Sequence, residues 1–183
     1  MSIPFIDARL VKQLVNFLLF QIGWIVCVVY GSTFAVAFFL LALVAHFLWI
    51  SHYSREWLLI VIVVSAGAAW DFTMSQLDVL ILGLEYSLFI PVWLICLWGL
   101  FAMTLSHSLS WLRQRYLASA LLGAFFGPAS YWMGTNLSDI EMGLPLIRSL
   151  GLLGIGWAFL LPTFFLIANK LVFDSNIPVK SST

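Results

Sequence analysis

The stretch QLVNFLLFQIGWIVCVVYGSTFAVAFFLLALVAHFLWI, residues 13–50, decides the fold. It is apolar almost throughout and is divided near its middle by the tetrapeptide YGST, residues 30–33. A membrane-crossing helix needs about 20 mostly apolar residues, so this stretch is too long for one crossing and has room for two. We therefore predict two transmembrane helices, residues 13–30 and 33–50, joined by a tight turn at YGST.

The composition of the whole chain excludes an ordinary soluble domain. Hydrophobic residues make up 63% of the 183 residues, and charged residues only 9%, whereas a soluble domain carries about 25% charged residues. The surface must therefore face lipid. The formal net charge is zero, so no nucleic-acid partner is predicted. Cys27 and Cys96 both lie inside apolar runs and are interpreted as small core residues.

Further apolar runs cover roughly residues 57–74, 88–109, 117–133 and 146–170. Together with the first two, they predict an all-α polytopic membrane protein with a six-helix transmembrane bundle. Residues 1–175 are predicted to form a single transmembrane domain, and the polar tail 176–183 is predicted to be flexible. The apolar segment LDVLILGLEYS, residues 77–87, is too short to cross and is predicted to be interfacial or re-entrant.

The distribution of lysine and arginine predicts the orientation of these helices. With the N-terminus in the cytoplasm, seven of the eight basic residues fall on the inner side and only Arg148 on the outer side. Cytoplasmic loops of membrane proteins are enriched in lysine and arginine, so both termini are predicted to be cytoplasmic. The inner residues are Arg9, Lys12, Arg55, Arg113, Arg115, Lys170 and Lys180. The outer loops collect Asp71, Asp78, Glu85, Asp139 and Glu141.

Small residues recur on the fifth and sixth predicted helices. Ser119, Gly123 and Gly127 are spaced by four, and Gly151 and Gly154 lie near one face of the sixth helix. Small residues at such spacing let helix backbones approach closely in lipid. We predict that these two helices pack tightly together and that the glycines are packing surfaces.

Polar side chains inside the apolar helices are the candidates for function, because such groups are costly to place in a membrane. The predicted topology gathers a group of them near the cytoplasmic side, with His46 and His107 at comparable depth on the second and fourth helices. Thr104, His107, Trp111 and Gln114 are spaced by three and four and are predicted to share one helix face. The group consists of Asn16, Gln21, His46, Arg55, Glu56, Ser106 and His107.

Three interpretations of His46, His107 and Glu56 remain open at this point. Imidazole titrates near neutral pH, so the three could transfer protons as catalytic residues. They could also ligate a metal ion, although the chain lacks the short spacings typical of metal motifs, and no metal or cofactor is assigned. Finally, the two histidines could simply hydrogen-bond across helices. Asn16, Gln21 and Arg55 are further candidates for binding a ligand.

Asp71 is the candidate ligand-binding residue on the outer side, in the sequence GAAWDF. It could bind a cation or accept a proton, or it could simply be exposed to lipid headgroups and water. The chain contains no nucleophile elbow, phosphate-binding loop or dinucleotide fingerprint. These observations favour a protein that is not an enzyme, without excluding one.

Five stretches together resemble a known bacterial family, the domain of unknown function 2878. They are NFLLFQIGW (16–24), SREW (54–57), the WDF around Asp71, PVWLICLWGLFAMTLSHSLSWL (91–112) and GAFFGPASYWMG (123–134). The resemblance implies a small multi-pass protein of the bacterial inner membrane without an assigned activity. Families of this kind often occur beside genes for lipid modification, such as cyclopropane-fatty-acid synthase.

Three functional hypotheses follow. The first is an accessory factor in membrane-lipid modification or envelope stress, with the lipid bilayer and a membrane protein as partners. The second is a small-solute transporter or substrate-binding membrane subunit. Six helices resemble the substrate-specific components of energy-coupling-factor transporters, but helix one lacks their AxxxA contact motif. The third is a membrane enzyme with a His/Glu site at the cytoplasmic face.

Overall fold

The computed structural model describes residues 7–83 and 90–174, and these are mostly helical. Two π-helical turns, His46–Ile50 and Asn169–Phe173, continue the first and last helices, and a 3-10 turn, Ser110–Leu112, precedes the fourth. Two-residue strands, β1 (Leu80–Ile81) and β2 (Glu141–Met142), pair antiparallel. The helices are α1 (Ala8–Ala45), α2 (Glu56–Gln76), α3 (Val92–Leu105), α4 (Tyr116–Thr135) and α5 (Leu146–Ala168).

Helix α1 is interrupted at Gly31, within the YGST tetrapeptide. Gly31 has φ 73° and ψ −171°, a backbone conformation that glycine adopts readily because it has no Cβ. A Cβ added to Gly23 would lie 2.8 Å from the Phe38 ring, yet a straight helix would separate these residues by about 22 Å. The two halves of α1 therefore lie side by side, and they correspond to the predicted helices 13–30 and 33–50.

Length and composition identify the chain as a membrane protein. In the described part of the chain, three helical stretches are long and apolar enough to cross a membrane: Ala8–Ile50, Glu56–Gln76 and Leu146–Phe173. Val92–Leu105 is a shorter apolar helix. Large apolar side chains such as Leu48, which is 82% exposed, cover the outer surface. Lipid accounts for such exposure, since soluble proteins rarely expose large contiguous apolar patches.

The third helix, α3, differs from the predicted helix 88–109. It begins at Val92 and ends at Leu105, so His107 lies in the turn that follows it. The predicted shared face of Thr104, His107, Trp111 and Gln114 is therefore wrong: the first two are buried and the last two exposed. Two serines help to explain the early end: the Ser110 hydroxyl donates to the His107 carbonyl, a local hydrogen bond that competes with a helix, and the Ser108 hydroxyl donates to Asn16 of α1.

Helices α4 and α5 pack closely through glycine, as predicted from the small-residue spacing. A Cβ added to Gly123 would lie 2.5 Å from the Trp157 backbone oxygen, and one added to Gly127 would lie 2.3 Å from the Trp157 ring. Gly154 faces the Ala124 backbone oxygen in the same way, at 3.0 Å. A Cβ added to Gly151 would have no atom within 4 Å, so only part of the predicted face on α5 packs against α4.

The segment predicted to be interfacial, residues 77–87, lies at the end of the molecule opposite to the histidines. Its described part contains β1, in which Leu80 pairs with Met142 of β2. Val79, Leu80 and Leu82 are buried in a small core together with Ile140. Residues 84–87, including Glu85, lie outside the described residues, as do Lys180 and the predicted tail 176–183.

Candidate histidine–glutamate site

His46, Glu56 and His107 come together at one end of the helices. His46 begins the π-helical turn after α1, Glu56 is the first residue of α2, and His107 lies in the turn after α3. The His46 Nε2 atom lies 3.3 Å from Glu56 Oε2, and the His107 Nε2 atom lies 3.1 Å from Glu56 Oε1. Their exposed fractions are 0%, 0% and 6%. We call these three residues the triad.

The chain between α1 and α2 holds Glu56 in place. The Ser51 hydroxyl donates a hydrogen bond to Glu56 Oε2, and the Ser51 amide donates to the His46 carbonyl at 2.7 Å. Glu56 also lies in the first turn of α2, where the helix dipole favours a negative charge. A buried carboxylate nevertheless needs partners close to it, and the triad and Ser51 provide them.

The triad is close in distance but incompletely hydrogen-bonded. His107 Nε2 has a hydrogen bond with Glu56 Oε2 at 3.2 Å. Within residues 7–83 and 90–174, no hydrogen-bond partner is aligned with either ring nitrogen of His46 or with Glu56 Oε1. An unpaired buried polar atom costs about 1–3 kcal/mol. The fold therefore holds a buried imidazole against a carboxylate without the geometry of a hydrogen bond.

Aromatic rings pack around the triad. The His46 and His107 ring centroids are 5.0 Å apart with the planes at 83°, and the Tyr53 ring lies 5.9 Å from that of His107. Tyr53 also packs edge-on against Phe173 at 5.4 Å. Burial raises the pKa of Tyr53, and the charge of Glu56 raises it further. The Tyr53 phenol therefore keeps its proton at neutral pH and can act as a hydrogen-bond donor.

Asn16 holds the turn that carries His107. Its Nδ2 donates to the Met103 carbonyl at 3.1 Å, and its Oδ1 accepts from the Ser108 amide at 3.2 Å and from the Ser108 hydroxyl at 2.7 Å. The Ser110 hydroxyl donates to the His107 carbonyl at 2.7 Å. Asn16, predicted as a candidate for ligand binding, thus lies beside the triad and positions the residues around His107.

The remaining candidates of the cytoplasmic group lie apart from the triad. Gln21 is exposed on α1, because five residues separate it from Asn16 and this spacing places it on another side of the helix. Arg55 is also exposed, although it directly precedes the buried Glu56. A ligand-binding role for either residue remains a prediction.

A cavity of about 780 Å³ adjoins the triad through His107. Four basic side chains line it, together with Gln13, Tyr53 and Trp111, and none of the described lining residues is acidic. The guanidinium of Arg113 lies 4.3 Å above the Phe173 ring, and that of Arg115 lies 5.8 Å above the Trp111 ring. The basic lining residues are Arg9, Lys12, Arg113 and Arg115.

The cavity is the part of the site that sequence reasoning missed. The sequence alone indicates these four cations only as determinants of orientation, and it does not distinguish Ser51 or Tyr53 from other polar residues. The signal that could have revealed the cavity is the placement of both basic pairs, Arg9 with Lys12 and Arg113 with Arg115, next to polar helix ends. We call this space the cationic cavity.

Asp71 forms a separate buried cluster. It is 0% exposed and accepts hydrogen bonds from Trp98 Nε1, at 2.6 Å, and from the Tyr131 hydroxyl. The interpretation of simple exposure to headgroups is therefore wrong, because two aromatic donors on neighbouring helices enclose the carboxyl group. Both carboxyl oxygens already have partners, which makes Asp71 a link between α2, α3 and α4.

Comparison with protein families identifies the family of the chain. The family model described as "Protein of unknown function (DUF2878)" matches residues 13–163. This match covers both halves of α1 and all three triad residues, and it agrees with the resemblance drawn from the five sequence stretches. No curated protein matches the chain, and no solved structure does.

Proposed function

We propose that this chain, which belongs to the DUF2878 family, is a six-pass membrane enzyme that performs acid–base chemistry on a phosphate-bearing amphiphile. The observation that carries the proposal is the position of Glu56 between two imidazoles beside the cationic cavity. Catalytic acids and bases are typically buried groups with such partners.

The break in α1 supports the six-pass arrangement. The two halves of α1 and helices α2 to α5 give six helices in chain order. The first and last described residues both lie at the end of the molecule that holds the triad. Arg9, Lys12 and Arg113 are at this end, whereas Arg148 lies at the start of α5, at the opposite end. The positive-inside rule supports a triad on the cytoplasmic side, and we propose that the membrane is the inner membrane of a bacterium.

The charge of the cavity supports an anionic substrate. Four cations line it without a described acid among them, and guanidinium groups bind phosphate oxygens in a bidentate way. The guanidinium groups of Arg113 and Arg115 each lie over an aromatic ring. This packing already restricts both side chains, so they lose less conformational entropy when they bind a phosphate. Because the cavity lies at the end of apolar helices, a headgroup could enter it while its chains stay in lipid.

The roles of the triad follow from its geometry. His107 is the member that contacts both Glu56 and the cavity, so it is placed to exchange a proton with a bound substrate. Glu56 would stabilise the charged imidazole, and His46 would hold Glu56 from its other side. A general acid or base in this position typically contributes about 10²–10⁴-fold to the rate.

The test uses a strain of the host from which the gene has been deleted. Mass spectrometry of its lipid extract should show an anionic amphiphile that accumulates, and the wild-type gene should remove it. His107→Gln should fail to remove it at equal protein level, whereas Arg55→Gln, which changes an exposed cation outside the cavity, should succeed. An unchanged lipid profile in the deletion strain would refute the proposal, as would full activity of His107→Gln.

A second candidate is an accessory factor that binds an anionic lipid without reaction, and the cationic cavity itself favours it. In this case Arg113→Gln/Arg115→Gln would lower the retention of phosphatidylglycerol in native mass spectrometry, but His107→Gln would leave both binding and the phenotype intact. The small-solute transporter hypothesis remains a prediction that these contacts do not test.

A further inference from the structure

We infer that His46, Glu56 and His107 bind one divalent metal ion of the zinc type. One ligand atom from each residue lies within 4.8 Å of the others, and all three residues are buried. The inference concerns the site of the proposed function but is an alternative to the proton exchange assigned to His107, because an imidazole nitrogen that ligates a metal cannot take up a proton. It does not require that a reaction takes place there. A metal site and an enzyme activity can therefore be tested separately.

The hydrogen-bonding pattern of His46 is the first argument. If Nε2 carried the proton, it should donate an aligned hydrogen bond to the carboxylate 3.3 Å away, and the alignment is missing. If Nε2 carried none, its lone pair would have the same direction as that N–H bond and would point beside the carboxylate oxygen, with no donor among the described residues aligned to it. A metal ion in tetrahedral coordination lies off the line between two ligand atoms, so it could accept a lone pair that is directed in this way.

The distances between ligand atoms are the second argument. Zinc binds histidine nitrogen and carboxylate oxygen at about 2.0–2.2 Å in tetrahedral sites, which places neighbouring ligand atoms about 3.3–3.5 Å apart. The observed separations from Glu56 Oε2 are 3.3 Å to His46 Nε2 and 3.2 Å to His107 Nε2, and one ligand atom from each of the three residues lies within 4.8 Å of the others. A modest widening at His107 would therefore accommodate the ion.

The donor set and its surroundings are the third argument. Two histidines and one glutamate form a ligand set of catalytic zinc sites that keep a fourth position open. Groups behind the ligands usually fix their orientation. Here the Ser51 hydroxyl donates to Glu56, while Asn16 and Ser110 hold the turn of His107. Because His107 lines the cationic cavity, the open position would lie on that side.

The experiment measures metal content in the full-length protein, purified in nanodiscs, stripped with a chelator and reloaded with Zn²⁺. Inductively coupled plasma mass spectrometry should give one zinc per chain. Ser51→Ala should weaken zinc binding by about 10–100-fold, the usual effect of removing a group behind a ligand. His46→Gln and His107→Gln should each weaken it by more. His52→Gln is the matched control: His52 is an exposed histidine that also lines the cationic cavity, but it does not belong to the group of ligand atoms within 4.8 Å of one another.

Two results would overturn the inference. One is a reloaded wild-type protein that retains no stoichiometric Zn²⁺, Co²⁺ or Mn²⁺. The other is undiminished zinc in His46→Gln/His107→Gln. If these variants fail to fold, X-ray absorption spectroscopy of the zinc-loaded wild-type protein tests the inference instead, because the spectrum must show scattering from two imidazole ligands.

The metal site and the proposed enzyme activity can fail independently. If the protein binds zinc but deletion of its gene leaves the lipid profile unchanged, the enzyme proposal is refuted and the metal site stands. A metal-free protein that restores the profile would refute the metal site alone.

Discussion

Replacing Asn16 with alanine should destabilise the protein and loosen the turn that carries His107. The side chain is 3% exposed and makes three hydrogen bonds, to the Met103 carbonyl and to the amide and hydroxyl of Ser108. Hydrogen bonds between transmembrane helices average about 0.6 kcal/mol, so three give about 2 kcal/mol. Leaving buried groups unpaired adds to this cost, and we expect about 2–4 kcal/mol in total.

Gln21→Ala is the matched control for this substitution. Both residues are amides on the same half of α1, but Gln21 is exposed, and exposed substitutions usually change stability by less than about 0.5 kcal/mol. Reversible unfolding in mixed detergent micelles, followed by circular dichroism, measures both variants. Equal losses for Asn16→Ala and Gln21→Ala would refute the reasoning, since the difference between them rests on the three hydrogen bonds.

Three further substitutions test other parts of the fold. Gly31→Ala should cost about 1–3 kcal/mol of unfolding free energy, because φ 73° with ψ −171° is a region that is nearly restricted to glycine. Gly127→Ala should cost about 1–3 kcal/mol through overpacking, since its Cβ would lie 2.3 Å from the Trp157 ring. Asp71→Asn should cost about 1–3 kcal/mol of unfolding free energy. The carboxylate accepts hydrogen bonds from two aromatic donors, and the NH₂ group of asparagine, itself a donor, would face one of them. The same unfolding assay measures all three.

Each of these substitutions has a control in the chain. Gly151→Ala is the control for the Gly31 and Gly127 variants. It places a methyl group where nothing lies within 4 Å, so it should leave the free energy of unfolding almost unchanged. Asp139→Asn removes an exposed charge of the same kind and should leave stability unchanged. A Gly31 or Gly127 variant as stable as Gly151→Ala would contradict the corresponding prediction. The Asp71 prediction is wrong if Asp71→Asn and Asp139→Asn have the same free energy of unfolding.

The sequence predicted the helices and the turn at YGST because both depend on local patterns. Long apolar runs specify membrane helices, and a glycine between two such runs permits the positive φ at residue 31. The approach of His46 to His107 was also a reasonable hypothesis, since both fall near the same end of helices that run in the same direction. The topology alone was enough to place them at similar depth.

What the sequence could not supply are contacts between distant residues. The end of α3 depends on Asn16, which lies 92 positions before Ser108 and stabilises the turn through its side chain. The burial of Asp71 depends on Trp98 and Tyr131, which belong to two other helices. The cationic cavity likewise requires the start of α1 and the segment before α4 to lie together. None of these pairs has a spacing that periodicity can detect.

The π-helical turn at His46–Ile50 makes the length of the chain critical at this point. Its hydrogen bond from the Ser51 amide to the His46 carbonyl spans five residues, one more than in an α-helix. An evolutionary deletion of one residue here would restore α-helical geometry and rotate His46 by about 100° relative to Glu56. Relatives that retain the triad should therefore tolerate substitutions in this turn but no insertions or deletions.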